Sequence, residues 1–273
     1  MDGTVASPLL SPAQVAAYRR DGLVIPDYRV PPEQLTRLRT ALDALLAENT
    51  HVRPEQLISA HVSRGGGERT HGQEAFLEFA HDPQILDMVE QLIGGDLILW
   101  GCQMFCKPAG DGYEVPWHQD GRYWPIRPLA TCTVWVALDR SGPENGCMRY
   151  IPGSHRNGHL YRHRHDARPD LALDLVLEDG EADMDAARDV VLEPGMMSLH
   201  DVYLVHGSNP NRSGSRRAGL AMRFMPGTSH FDREFYKPAT SGNGLTVDFA
   251  NRPLWLVRGT DRTGRNDFAI GKV

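Results

Sequence analysis

The sequence predicts an α+β protein in which a helical N-terminal layer covers a barrel or double-sheet jelly roll. Three observations carry this prediction. Strong helix signals are confined to the first 95 residues, and after Gly95 short β-rich runs are separated by Gly, Pro and Asn. No helical pattern of ten to fifteen residues alternates with those runs, as a parallel sheet would require.

The elements follow in order. Ser11 as cap and Pro12 at the first helical position announce a helix that runs from Gln14 to Arg20 and stops at Gly22. A short apolar strand, Leu23 to Ile25, comes directly after it. Leu35, Leu38, Leu42, Leu45 and Leu46 recur at helical steps, so residues 31–49 form an amphipathic helix with a leucine face. Another helix, Pro83 to Ile93, starts behind Asp82 and ends at Gly94-Gly95. Between these two, residues 59–73 hold Gly65-Gly66-Gly67 among polar residues and read as a mobile loop. Strands are expected at Leu97 to Cys106, Thr131 to Leu138, Cys147 to Ile151, Val190 to Leu192, Met196 to Val205 and Ala218 to Met225. Composition marks no domain boundary. One domain over 1–273 is therefore expected, with a helical layer at about 10–95, a β-core at about 96–226 and a C-terminal segment at 227–273.

Charge and cysteine usage exclude several classes. Twenty-nine Lys and Arg against 35 Asp and Glu give a net charge of −6, so no nucleic-acid footprint or polybasic membrane patch is expected. Cys102, Cys106, Cys132 and Cys147 are too few and too clustered for a secreted disulfide framework, and they lack zinc-ribbon spacing. Neither a secretory signal nor an apolar run of eighteen residues is present, which points to reduced thiols in the cytoplasm.

The chemistry concentrates in two stretches. In Val115-Pro116-Trp117-His118-Gln119-Asp120-Gly121-Arg122-Tyr123-Trp124, His118 and Asp120 share a face if the backbone is extended, and can bind one ion. In the second stretch, Pro194 to Ser213, a strand delivers a histidine to its end just before a turn rich in Gly, Asn and Pro. Two imidazoles and one carboxylate on one side of an ion form the facial triad of non-haem Fe(II) oxygenases. Zinc hydrolysis could use the same ligands. The discriminator is a cationic group downstream, because a 2-oxoacid cosubstrate needs its far carboxylate held by a planar bidentate donor.

The Trp-His-Gln-Asp-x-x-Tyr-Trp run, Val134-Trp135-Val136-Ala137-Leu138, Glu144-Asn145-Gly146-Cys147 leading to Ile151-Pro152-Gly153-Ser154-His155, and His206-Gly207-Ser208 together resemble the phytanoyl-CoA dioxygenase family. The resemblance spans residues 10–226 and weakens beyond Pro226. It implies a double-stranded β-helix (cupin-like jelly roll), Fe(II) as the metal, 2-oxoglutarate and O₂ as cosubstrates, and His118, Asp120 and His206 as the iron ligands. It also implies that the arginine eleven residues after the distal histidine, Arg217, clamps 2-oxoglutarate. Arg216 would then face the other way, as an ion-pair residue. His200 is the rival distal ligand, but only His206 has Gly207-Ser208 behind it and Arg217 at the family distance. The strand carrying His200 is read as core edge.

Further cosubstrate candidates are Ser208, Trp135, Gln103 and Lys107, the last two being equally readable as ordinary strand residues with solvated tips. Tyr123, Trp124 and Phe79 are candidates for the substrate pocket, followed by Phe231 and Tyr236. His155, His159, His163 and His165 among Arg162, Arg164 and Arg168 are read as a solvated loop, and residues 59–73 and 155–170 as lids. The expected activity is oxidation of an unactivated C–H bond of a small organic substrate in bacterial natural-product tailoring. Hydroxylation is the default, with cyclisation, desaturation or epimerisation open to the same chemistry. An intact Asp120 argues against halogenation, whose practitioners in the family vacate that position. The alternatives are an acyl-CoA or other primary-metabolite hydroxylase, and a non-catalytic small-molecule-binding barrel.

Overall fold

A computed structural model describes residues 9–63, 70–235, 239–240 and 246–271. Gly65-Gly66-Gly67 and Tyr236 lie outside the described residues. The helices are α1 (Pro12–Asp21), α2 (Pro32–Glu48), α3 (Glu74–Ala80) and α4 (Pro83–Ile93). Ser11 caps α1 in a capping box with Gln14, and the Asp82 side chain accepts from the Gln84 N–H at the start of α4. The expectation missed α3, which has no side-chain cap and only seven residues.

The strands are β1 (Leu23–Val24), β2 (Leu57–Ile58), β3 (Leu97–Lys107), β4 (Val115–His118), β5 (Ile126–Arg127) and β6 (Cys132–Ala137). Then come β7 (Met148–Tyr150), β8 (His163–His165), β9 (Leu175–Leu177), β10 (Arg188–Asp189), β11 (Met197–Asp201) and β12 (His206–Ser208). The chain closes with β13 (Arg217–Pro226), β14 (His230–Phe231), β15 (Ala239–Thr240), β16 (Thr246–Val247) and β17 (Trp255–Arg258). One sheet runs β1-β11-β6-β13-β3-β17, with β2 also on β3, and a second runs β10-β7-β12-β4. These antiparallel sheets make the jelly-roll core.

Period-two alternation assigns the two faces of the large sheet. On β13, Ala218, Leu220, Met222 and Phe224 pack outward with Val134 and Val136 of β6 and Leu199 of β11. Leu38, Leu42, Phe76, Phe79, Ile85 and Met88 of the helices cover that face. The alternate residues of β13, Arg217, Ala221 and Arg223, face a cavity between the sheets. Both faces are therefore buried, and β13 reads as a nearly unbroken apolar run.

Phe79 does not reach that cavity. It is 2% exposed in the helical core, because α3 lies on the outer face of the sheet. Phe231 is likewise buried, in a cluster with Trp100, Trp124 and Phe249. The expected strand at Val190 to Leu192 does not form: β10 beside β7 covers only Arg188–Asp189, and Leu192 makes an isolated bridge to Ser141. The His/Arg-rich stretch is not an irregular loop, since His163–His165 pairs with Leu175–Leu177. On either side of the undescribed residues 64–69, Ser59 to Val62 and Thr70 are buried, and Ala60 N–H bonds to Cys102 O and Gln73 N–H to Ala60 O. Those flanks are part of the packed structure.

The largest departure lies at 196–205, read as one strand. β11 ends at Asp201, whose side chain accepts the Tyr203 N–H at 2.8 Å, while Leu204 N–H returns to Asp201 O. This aspartate-nucleated turn carries the chain from the large sheet to the small one. His200 and His206 thus sit on different sheets.

Candidate active site

His118 ends β4 and His206 begins β12, and the two are directly paired across the strands with ring centroids 4.3 Å apart. Gln119 is extended (φ −118°, ψ 128°) before a single 3₁₀ turn, Asp120–Arg122, so Asp120 emerges on the side of His118. The Gln119 side chain points the other way and is fully buried. Its Nε2 donates to His159 O (2.9 Å) and Tyr203 O (2.7 Å), and its Oε1 accepts from Tyr161 N–H (2.7 Å). These bonds brace the turn that aims Asp120.

Each imidazole is fixed by its own backbone. His118 Nδ1 lies 2.8 Å from Pro116 O and His206 Nδ1 3.0 Å from Leu204 O. A proton on Nδ1 satisfies each carbonyl and leaves Nε2 as a lone-pair donor, the arrangement that orients metal-bound histidines. One donor atom from each of His118, Asp120 and His206 lies within 4.8 Å of the others, all buried. Burial, then repulsion from His118, pushes the His206 pKa down to about 3, so the ring is neutral near pH 7. Burial raises the Asp120 carboxyl, but the adjacent His118 and His200 side chains, then His206 and the Arg223 guanidinium, outweigh it and hold the group well below its usual range. The donor set fits a divalent metal with positions left open.

His200 is not core edge. It lines the cavity, with Nε2 3.6 Å from Asp120 Oδ2, and approaches from the opposite sheet. The three-residue donor cluster contains His206 and not His200.

The cavity is about 380 Å³ and continues from the triad to Arg217. Arg217 is 3% exposed and donates from Nε (3.1 Å) and Nη2 (2.7 Å) to Gly146 O, with Nη2 also 3.4 Å from Ser208 Oγ. Among the described residues Nη1 has no such bond. Burial lowers the Arg217 pKa to about 10, which leaves it charged at pH 7. Trp135 forms the wall, its ring centroid 5.4 Å from the guanidinium carbon. Gly219 makes room for it, since a Cβ there would overlap the indole. Arg216 points away, to Asp139 (2.8 Å) and Asp43 (3.4 Å).

Lys107 lies behind the wall. It is 1% exposed, not solvated, and donates to Ser208 Oγ (2.7 Å) and Asn209 O (2.5 Å). Burial and then Arg217 depress its pKa. Gln103, Tyr123 and Trp124 line the cavity, as does His165 of β8 at its mouth. Arg223, Thr133 and Trp100 line it too and were not singled out from the sequence. Inward strand parity with Arg217 could have flagged Arg223.

Comparison with known proteins agrees with this geometry. The family described as Phytanoyl-CoA dioxygenase (PhyH) matches residues 18–219. A "Probable phytanoyl-CoA dioxygenase" of Caenorhabditis elegans is 24% identical over 97% of each chain. Among solved structures, the non-heme monooxygenase ThoJ in its apo form is 26% identical with a TM-score of 0.67, covering 91% of this chain and 84% of its own. The alpha ketoglutarate dependent carbocyclase SnoK from nogalamycin biosynthesis shares the fold at 22% identity and a TM-score of 0.60, covering 81% of this chain and 86% of its own. With most of its length matched, the chain belongs to the phytanoyl-CoA dioxygenase family and is an Fe(II)- and 2-oxoglutarate-dependent dioxygenase that uses O₂.

Proposed function

We propose that His118, Asp120 and His206 hold Fe(II), that Arg217 with Ser208 receives the distal carboxylate of 2-oxoglutarate, and that the rest of the cavity positions a small organic substrate for hydroxylation. The observation that carries the reading is the pair of imidazoles tied through Nδ1 to Pro116 O and Leu204 O, with one donor atom of each within 4.8 Å of an Asp120 oxygen and a buried arginine further along the same cavity. Bound iron supplies the site for O₂ and for oxidative decarboxylation of 2-oxoglutarate to succinate.

The protein's own part is positional. Gly146 O fixes the plane of the Arg217 fork, and Lys107 fixes Ser208 beneath it. A guanidinium so held offers a charge-assisted bidentate pair that a lysine point charge cannot reproduce. Trp135, Met148 and Val115 keep water from the cosubstrate end. Tyr123, Trp124 and Phe105 supply apolar surface where a substrate carbon would rest.

We assign the task to bacterial natural-product tailoring, the kind of setting in which SnoK works, and to one catalytic unit over 1–273. Among the described residues no helix is long and apolar enough to cross a membrane, and the four buried free cysteines suit a reducing cytoplasm. The test is succinate formation that requires both Fe(II) and 2-oxoglutarate, coupled to a mass-spectrometric screen for a substrate gaining one oxygen. Turnover supported by Zn(II) without 2-oxoglutarate would overturn the reading in favour of a hydrolase.

A further inference from the structure

The register of the large sheet lays Gly101, Arg223, Thr133 and His200 side by side on four neighbouring strands, all on the inward face. Three of these side chains, and Trp100 beside them, line the cavity, and each carries a buried polar atom that forms no hydrogen bond. The buried atoms are Arg223 Nε, Thr133 Oγ1, Trp100 Nε1 and His200 Nδ1, with His200 Nε2 standing 3.6 Å from Asp120 Oδ2. Leaving such groups unmet costs on the order of 1–3 kcal/mol each, so a concentration of them in one wall of a cavity calls for a ligand. Arg223 Nε–H and Trp100 Nε1–H can only donate. The missing partner is therefore an acceptor.

Its charge follows from the surroundings. Arg223 is 6% exposed, and its one hydrogen bond among the described residues runs from Nη2 to the neutral Gln103 Oε1 at 2.9 Å. Its guanidinium carbon lies 5.1 Å from the Trp124 ring centroid and 5.6 Å from that of Trp100, which holds the plane without neutralising it. A second guanidinium, that of Arg252, lines the same wall, with Nη1 3.1 Å from where a Cβ on Gly101 would sit. On the reading above, Fe(II), Asp120, 2-oxoglutarate and Arg217 sum to zero. Of the other charged residues that line the cavity, Arg223 and Arg252 outnumber Asp174, which lies 3.6 Å from His165, so a net positive charge remains.

Arg217 and Arg223 are six residues apart on β13, roughly 20 Å along an extended strand, with the triad between them. Arg223 cannot grip the cosubstrate that Arg217 grips. We propose that Arg223, with Trp100 Nε1 and Thr133 Oγ1, forms a second anion subsite that binds a carboxylate of the substrate, so that the enzyme acts on an organic acid anchored opposite to 2-oxoglutarate. A carboxylate is favoured over a phosphate because one fork and two single donors in an aromatic box suit a flat monoanion. This inference rests on the oxygenase reading for its charge count.

Enzyme loaded with Fe(II) and 2-oxoglutarate under nitrogen, so that Arg217 is already occupied, is titrated calorimetrically with 3-phenylpropionate and with 3-phenylpropionamide. The acid should bind at least about tenfold more tightly than the amide. Arg223→Met should erase that preference, and Arg223→Lys, which keeps charge and loses the fork, should retain part of it. Should Arg223→Met fail to fold, Trp100→Phe removes one donor alone and should weaken the acid severalfold with the amide unchanged. Equal binding of acid and amide, no binding of the acid, or a preference that survives Arg223→Met through direct contact with iron would overturn the subsite. If 2-oxoglutarate itself fails to bind wild-type enzyme, the oxygenase reading falls. The acid and amide are then compared on the protein as purified, which still decides the subsite.

Discussion

The two ends of the cavity are built on the same face of β13 and differ in what completes their hydrogen bonds. At the Arg217 end the protein supplies the partners: Gly146 O for the guanidinium, Lys107 for Ser208, and Asn211 Nδ2 for Pro108 O (2.9 Å) and Ser215 O (2.8 Å) in the supporting turn. At the Arg223 end the polar atoms of Trp100, Thr133 and Arg223 wait for one. A pocket for an invariant cosubstrate can be preorganised by its own scaffold. A pocket for the molecule that defines the enzyme leaves its donors open.

The largest effects should fall between these ends. His118→Ala and His206→Ala should each abolish turnover and iron binding, measured as succinate formation and metal per chain. His200→Ala, which removes a neighbour of Asp120 and no proposed ligand, should keep iron and lower turnover by about 10–100-fold. The reverse pattern would move the metal toward the Arg223 end and dissolve the contrast.

Next comes the preorganised end. Arg217→Ala should raise the 2-oxoglutarate KM at least about tenfold, or about 1.4 kcal/mol. Arg216→Ala should leave it within about twofold, because that guanidinium faces Asp139 and Asp43 on the outer surface. Equal effects would mean that the clamp is not on the inward face. Gly219→Ala tests the same wall by steric means. The new methyl overlaps the Trp135 indole and should cost severalfold in 2-oxoglutarate affinity, with the Arg223 end unaffected. A tryptophan fluorescence spectrum identical to wild type would show that the wall gives way without moving the ring.

The contrast also explains what could be read in advance. Ser11, Asp82 and the leucine spacing of α2 announce their helices through local caps and period, and His118, Asp120, His206 and Arg217 stand in short stretches whose spacing is itself chemical. Residues 196–205 were misread because Asp201 turns the chain through its side chain, and an aspartate inside an apolar run looks like any other strand position. Phe79 was misread because an aromatic at helical spacing does not reveal which face of the sheet its helix covers. Arg223, Thr133, Trp100 and His200 come from β13, β6, β3 and β11, and no sequence window contains them together. Lys107, Trp135 and Gly146 also reach the Arg217 end from distant segments, but that end is announced by the short His206–Arg217 stretch, whereas the open end has no such stretch.

Orphaned polar atoms outside the cavity provide the control. His61 is 1% exposed, has both ring nitrogens without a hydrogen-bond partner, lies tilted against Trp255 at 4.8 Å between centroids, and does not line the cavity. Here the unmet atoms should register as lost stability and nothing else. Burial, with Arg252 adding to it, lowers the His61 pKa to about 3, against about 6.5 in the unfolded chain. Between those values the unfolded state holds a proton that the folded state refuses. Stability therefore rises with pH across that window, and the folded protein loses it as pH falls below about 6.5, by up to about 1.4 kcal/mol per pH unit from this residue. His61→Met keeps an apolar contact with Trp255 and removes the titration. The gap in unfolding free energy between variant and wild type should therefore widen in the variant's favour by on the order of 2 kcal/mol between pH 7 and pH 5, as read by urea denaturation. Parallel pH curves for the two proteins would mean that His61 takes up its proton in the folded state, and that an unmet buried imidazole is tolerated here without a ligand and without a cost, which would weaken the same argument at the Arg223 end.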